Sequence, residues 1–203
     1  MENIKRLPAV NLRAIEMEDL KQLRDWRNTK ELKDNFREYR LLNMLHQEDW
    51  LRSVTKDKNW LMFAVENADG TLVGACGWTY IDWLNRRAES GLYIGDEKMR
   101  GMKIGTAAFH EMHKIAYLEL DLNMTYGQVY GYNPAIGMSL NYGYTVVGKW
   151  RNEHYYMGKH WDTICLDMSK EEWFKLYGKD IVGDYSSVQS IDPIEDYSNL
   201  KRN

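Results

Sequence analysis

The chain has 203 residues, 44% of them hydrophobic and 13% aromatic, with a formal net charge of −3. That is enough for one domain with a sizeable core, and the charge argues against nucleic-acid binding driven by a basic surface. Two cysteines, Cys76 and Cys165, with no CxxC pair, argue against a disulfide framework or zinc knuckle and fit a reduced cytoplasmic compartment.

The opening "MENIKRLPAVNLR" lacks the apolar centre of a signal peptide. No apolar run approaches the length that spans a membrane. "VNLRAIE" (10–16) reads as a first strand, and "MEDLKQLRDWRN" (17–28) as a helix with Leu20, Leu23, Trp26 and Arg27 on one face. Residues 29–45 are polar and irregular, a surface loop or a broken helix. "HQEDWLRSV" (46–54) is a second short helix.

"WLMFAVE" (60–66) and "LVGACGWTYID" (72–82) flank "NADG" (67–70), whose Asp-Gly pair signals a hairpin. "AESGLYIG" (88–95) is a further strand. "MRGMKIGTAAFHEMHK" (99–114) opens a helix that runs to about Leu120. "TYGQVYGY" (125–132) returns as a strand. "NPAIGMSLNYGY" (133–144) starts on Asn-Pro, a cap and first-turn pair, and stops at Gly143. "TVVGKWRNEHYYM" (145–157) and "KHWDTICLDM" (159–168) form a long hairpin. "SKEEWFKLYG" (169–178) has Ser169 and Glu172 at capping-box spacing. From Lys179 the chain is polar and acidic without period, a tail or a dimer arm. The expectation is a domain over 1–178 with a tail over 179–203. It is an α+β (mixed α/β) domain around a largely antiparallel sheet, and a homodimer is left open.

Gly101 and Gly105 frame the start of the helix after residue 99. A helix N-terminus offers unpaired N–H groups and the positive end of its dipole. With side chains removed it becomes a phosphate site. Arg100, Lys103 and Thr106 add charge and a hydroxyl. The stretch lacks the ending of a P-loop and the GxGxxG of a dinucleotide fold. By itself it also reads as a tight strand–helix turn.

The strand "AESGLYIG", the acidic turn "DEKM" and Arg-Gly-x-x-x-Gly at a helix start resemble the acetyl-CoA signature of the GNAT N-acetyltransferase superfamily. The usual form is (Arg/Gln)-x-x-Gly-x-(Gly/Ala). Arg100 and Gly105 match its ends, and Lys103 replaces the middle glycine. "VYGYNPAIGMSLNYGY" resembles the family's second motif. The terminal hairpin is similar to the branch holding ribosomal-protein N-terminal acetyltransferases and amino-sugar acetyltransferases. "LRDWRN" (23–28) resembles the first helix of amino-sugar acetyltransferases of the pseudaminic acid pathway. The resemblance spans residues 10–176 in order.

The resemblance implies a central sheet flanked by helices, with strands splayed at the acyl-CoA site. The amides of Met102, Lys103, Ile104, Gly105 and Thr106, with Arg100 and Gly101 beside them, hold the CoA pyrophosphate. Leu92, Tyr93 and Ile94 splay from the strand at 125–130 and pair with the pantetheine arm. Asn133 meets that arm from the other side, and it is equally a helix cap. Acetyl-CoA is the co-substrate, and no metal is expected. His110 and His113 of "HEMH" share a face without a third ligand, so surface or partly buried histidines are expected there.

Acetyl transfer needs a neutral amine, and a lysine-like amine of pKa ~10.4 is neutral in about one molecule in 10³ at pH 7. A base and an acid for the leaving thiolate therefore help. Glu89 is the candidate base, although a strand glutamate on a solvated face reads the same way. The acid position falls on Leu140 or Ser139, neither of them tyrosine. Ser139, Tyr142 or a water remain for that role. Trp78 and Tyr80 of "WTYIDW" are candidates to line the acceptor side, as is Arg27 for an anionic group such as a sugar-nucleotide phosphate. Trp26 reads as core.

The expected function is acetyl-CoA-dependent N-acetylation of a small primary amine, with a nucleotide-linked amino sugar favoured. Acetylation of a protein N-terminus is an alternative. A non-catalytic acyl-CoA-binding or interaction module is another.

Overall fold

Seven strands make one sheet: β1 (Val10–Ala14), β2 (Leu61–Asn67), β3 (Leu72–Asp82), β4 (Arg87–Ile94), β5 (Met124–Tyr130), β6 (Thr145–Tyr156) and β7 (Lys159–Ser169). Their order in space is β1-β2-β3-β4-β5-β7-β6. Every neighbouring pair is antiparallel except β4 with β5. The computed structural model describes residues 4–185.

The sheet follows from local signals. At the β2–β3 turn the Asn67 side chain accepts from the amides of Asp69 and Thr71, both at 3.0 Å. The turn therefore carries its own hydrogen bonds. The β6–β7 hairpin forms as expected, and β7 rather than β6 pairs with β5.

Helices cover both faces. On one side lie α1 (Leu20–Arg27), the single turn α2 (Lys30–Lys33) and α3 (Met44–Lys56). Leu20 and Leu23 of α1 pack there with Ile15, Ala64 and Ala75, and Trp26 joins them half-buried. On the other side lie α4 (Ile104–Lys114) and α6 (Lys170–Tyr185). Ala108, Phe109 and Met112 of α4 meet Trp78, Leu166, Met168 and Trp173 in the main core. The short α5 (Ala135–Tyr142) ends on Gly143 at φ +112°, the left-handed stop that glycine supplies.

Two expectations need correction here. The last helix does not end at Gly178 but runs on to Tyr185. A glycine inside a helix costs about 1 kcal/mol. The helix passes it because Ile181, one turn on, is buried in the core, and Asp180 pairs with Lys5 at 2.8 Å. The rest of the expected tail, residues 186–203, lies outside the described residues. Second, His113 is neither at the surface nor half-buried. It is fully buried between α4 and β5 and hydrogen-bonded at both ring nitrogens.

Candidate active site

The parallel pairing of β4 with β5 covers only Arg87 with Met124, Ala88 with Thr125 and Glu89 with Tyr126. Beyond it, β4 stays with β3 and β5 stays with β7. The two strands therefore diverge. Ser90 closes the fork by donating its hydroxyl to the Tyr126 carbonyl at 3.2 Å. A cavity of about 710 Å³ fills the gap. Gly91, Leu92 and Tyr93 wall one side, and Gly127, Gln128, Val129 and Tyr130 the other. Asn133, Met138 and Ser139 close one end, and residues of α1, α3 and the segment 35–42 roof it.

The glycine turn lies beside this cavity. Arg100 donates from its guanidinium to the carbonyls of Ile94 (3.0 Å) and Gly95 (3.1 Å). It braces the loop against the end of β4, so much of its donor capacity points inward. Gly95 is needed by the protein itself, since a Cβ there would stand 2.0 Å from the Trp26 ring. Gly101 holds φ +79° and Lys103 φ +63°, turning the chain twice before α4 begins. The Ala107 amide reaches back to the Lys103 carbonyl at 2.9 Å. The amides of Ile104, Gly105 and Thr106 precede any intrahelical acceptor.

Gly105 answers to a different need. A Cβ there would come no closer than 3.5 Å to Ile94 and 3.8 Å to Leu92 and Met138. That is ordinary contact, so packing within the chain does not demand a glycine. The missing side chain leaves a cradle at three helix-start amides, next to two walls of the cavity. This fits a pyrophosphate. Leu92 and Tyr93 line the cavity. Ile94 is not a cavity wall, and its carbonyl is already taken by Arg100. Asn133 lines the cavity and also caps α5, accepting from the Ala135 amide at 2.8 Å.

Glu89 lines the cavity and is 6% exposed. Its carboxylate is gripped by Arg37. Nη1 donates to Oε2 at 3.0 Å, and Nη2 donates to Oε1 and to Gln128 Oε1, the latter at 3.0 Å. This pairing raises the Arg37 guanidinium above its ordinary value. No local sequence signal marks Arg37, which sits in the irregular segment 52 residues before its partner.

Arg27 lines the same cavity with its guanidinium 3.8 Å from the centre of the Phe36 ring. Burial pulls it below its ordinary value, yet an arginine stays charged. Among the described residues no carboxylate lies within ion-pair distance of it. Tyr80 also faces the cavity, 53% exposed, at the left-handed φ of +50°. Ser139 lines it, buried.

Two expected site residues lie elsewhere. Trp78 is fully buried under α4 and donates from its indole to the Met112 carbonyl at 3.1 Å. A bulge between Thr79 and Asp82 breaks the alternation, so Trp78 and Tyr80 no longer share a face. Tyr142 is fully buried in the core. Its hydroxyl accepts from the Trp173 indole at 3.0 Å and pairs with His110 Nδ1 at 2.9 Å. Burial holds its pKa well above 10, and it does not line the cavity. It is no acid for this site.

A fork between β4 and β5, a cradle of helix-start amides and a buried carboxylate define an acyl-CoA-dependent transferase. The Acetyltransferase (GNAT) domain family matches residues 12–165, and the chain belongs to that family of N-acetyltransferases, which take their acetyl group from acetyl-CoA. Among solved structures, it resembles a spermidine N-acetyltransferase from Vibrio cholerae in complex with CoA and spermine. There the identity is 21% and the TM-score 0.76, over 81% of this chain and 98% of that one. A dodecameric form of the Vibrio cholerae enzyme gives 19% and 0.71, over 82% and 97%. At these identities the likeness is one of fold. By sequence the chain is 32% identical over 106 residues to YdaF of Bacillus subtilis (strain 168), a protein named for ribosomal N-acetylation. That match covers 52% of this chain and 57% of YdaF. Among the described residues no helix is long and apolar enough to cross a membrane. None of their His, Cys, Asp and Glu side chains cluster as a metal site.

Proposed function

We propose that the enzyme acetylates the primary amine of a small molecule that also carries an anionic group, a nucleotide-linked amino sugar being the favoured acceptor. The observation that carries this reading is Arg27, a cation in the cavity wall with no carboxylate within ion-pair distance among the described residues, the acid that acts on it from further off being Glu38. Of the acids lining the cavity, Glu89 is held by Arg37, Glu38 by Arg40 at 2.6 Å and the exposed Asp49 by Arg52 at 3.3 Å. A polyamine needs open carboxylates, and this cavity offers occupied ones.

Acetyl-CoA supplies the acetyl group as a thioester. The amides of Ile104, Gly105 and Thr106 would hold its pyrophosphate, the Met102 amide being taken by the Met99 carbonyl, and the free edge of β4 at Leu92 and Tyr93 would hold its pantetheine arm. Glu89 takes a proton from the acceptor ammonium. Ser139, buried in the cavity lining, is the proposed donor to the leaving sulfur. Arg27 and Tyr80 bind the acceptor. Free Cys76 and Cys165 support a reduced, cytoplasmic setting.

The YdaF match favours one second reading, acetylation of a protein N-terminus. The test starts with calorimetric titration of acetyl-CoA. Thiol release is then followed with a UDP-linked amino sugar, spermine and a short peptide as acceptors. The amino-sugar nucleotide should lead. A lead for spermine or the peptide overturns the acceptor assignment, and no acetyl-CoA binding overturns the enzyme reading.

A further inference from the structure

Arg37 joins the two arms of the fork. Through Glu89 it holds the last residue of β4 paired with β5, and through Gln128 it holds β5 two residues past the split. The Arg37 side chain is 50% exposed and that of Glu89 is 8% exposed. The cation therefore reaches in from the rim to a carboxylate inside the cavity.

The chain leading to Arg37 is fixed. The Asp34 carbonyl accepts from the Tyr132 hydroxyl at 2.5 Å, and its carboxylate accepts from Tyr156 at 2.7 Å and Lys30 at 2.6 Å. Phe36 takes Arg27 on its face and meets Tyr93 edge-on, with ring centroids 5.5 Å apart. With its neighbours held in this way, Arg37 leaves Glu89 only by a turn of its half-exposed side chain.

We propose that Arg37 is a specificity-determining positioning residue, which occupies both oxygens of Glu89 until an anion on the acceptor draws its guanidinium away. The proposal rests on the reading of Glu89 as the base. Arg27 and Arg37 line the same cavity, so an acceptor phosphate that enters it comes into a site with two guanidiniums. A guanidinium binds phosphate as readily as carboxylate. Once Arg37 turns to the phosphate, Glu89 accepts from the acceptor ammonium. One N–H bond breaks, one O–H bond forms, and a neutral amine and a carboxylic acid result. A plain amine brings no anion and must displace Arg37 from Glu89 unaided.

The test compares D-glucosamine 6-phosphate with D-glucosamine, the same amine with and without the anion. In the wild type kcat/KM should favour the phosphate ester by about tenfold or more, the scale of one charge-assisted hydrogen bond. In Arg37→Gln the preference should shrink by at least about threefold, chiefly because kcat/KM for D-glucosamine rises. Arg37→Lys should keep the preference. Acetyl-CoA affinity by calorimetry should be the same in all three proteins, which also shows that the variants fold. An unchanged preference in Arg37→Gln overturns the proposal, as does an equal loss with both acceptors. Transfer to neither acceptor by a protein that binds acetyl-CoA overturns it too. Failure of the wild type to bind acetyl-CoA instead removes the underlying enzyme reading.

Discussion

Glu89 and Tyr126 are the last residues to pair β4 with β5. The carboxylate of Glu89 therefore stands where the sheet opens, at the inner end of the cavity. Glu89→Gln keeps the shape and one acceptor oxygen for Arg37 but cannot take a proton. Turnover should fall by about 10²-fold or more, with acetyl-CoA affinity retained. The check is a steady-state rate measured from about pH 6 to 9. Rates equal to wild type across that range remove Glu89 from the chemistry.

Gly105 separates binding from folding. A Cβ there meets its nearest neighbour, Ile94, at an ordinary contact of 3.5 Å, and alanine is the better helix former by about 1 kcal/mol. Gly105→Ala should therefore hold or raise Tm while weakening acetyl-CoA binding about tenfold or more, because the methyl fills the cradle. Calorimetry and thermal unfolding on one preparation read both effects. Undiminished affinity means that the glycine serves something other than the phosphates.

Tyr142 makes the opposite case. Tyr142→Phe leaves the Trp173 indole N–H without its acceptor in a buried site. It also removes the partner of His110. The cost should be about 1–3 kcal/mol of stability, read as a lower urea midpoint. Below the unfolding range kcat/KM should match wild type, because the hydroxyl does not reach the cavity. A large loss of kcat in the folded variant restores Tyr142 as a catalytic group.

The signals that worked in the sequence are those whose partners lie a few residues away. Asn133 caps its helix two residues on. Ser169 and Glu172 form a reciprocal box, with the Glu172 carboxylate accepting from the Ser169 amide at 2.8 Å and the Ser169 hydroxyl accepting from the Glu172 amide at 3.2 Å. The glycine turn was legible because a strand, a turn and a helix follow one another directly, whereas the fork was expected only from the resemblance to the family. Trp78 and Tyr80 part company, and only Tyr80 lines the cavity. Strict alternation puts them on one face, and one bulge of the kind that no residue type announces parts them. The direction of Tyr142 is set by Trp173, 31 residues later. Arg37 is the extreme case. Its role exists only once a polar loop of unremarkable composition is laid against a strand far along the chain.

The buried histidines couple stability to pH. Burial lowers His110 to about 4 and His113 to about 3. Around His110, Glu111 and Asp180 pull the value up and Lys114 pushes it down, all less strongly than burial. His113 donates from Nδ1 to the Phe109 carbonyl and accepts at Nε2 from the Tyr144 hydroxyl at 2.9 Å, the pattern of a neutral ring. The unfolded chain titrates near 6.5. Above that value both states hold neutral rings and stability is full. As pH falls below it, the unfolded chain binds protons that the fold refuses. Stability then drops until pH reaches about 4 for His110 and about 3 for His113, by up to about 1.4 kcal/mol per pH unit for each ring. The urea midpoint should therefore fall steadily from pH 6.5 to 4. In His113→Gln it should start lower at pH 7, because the buried network is disturbed, and fall less steeply. Parallel slopes in the two proteins mean that His113 is not the group being titrated.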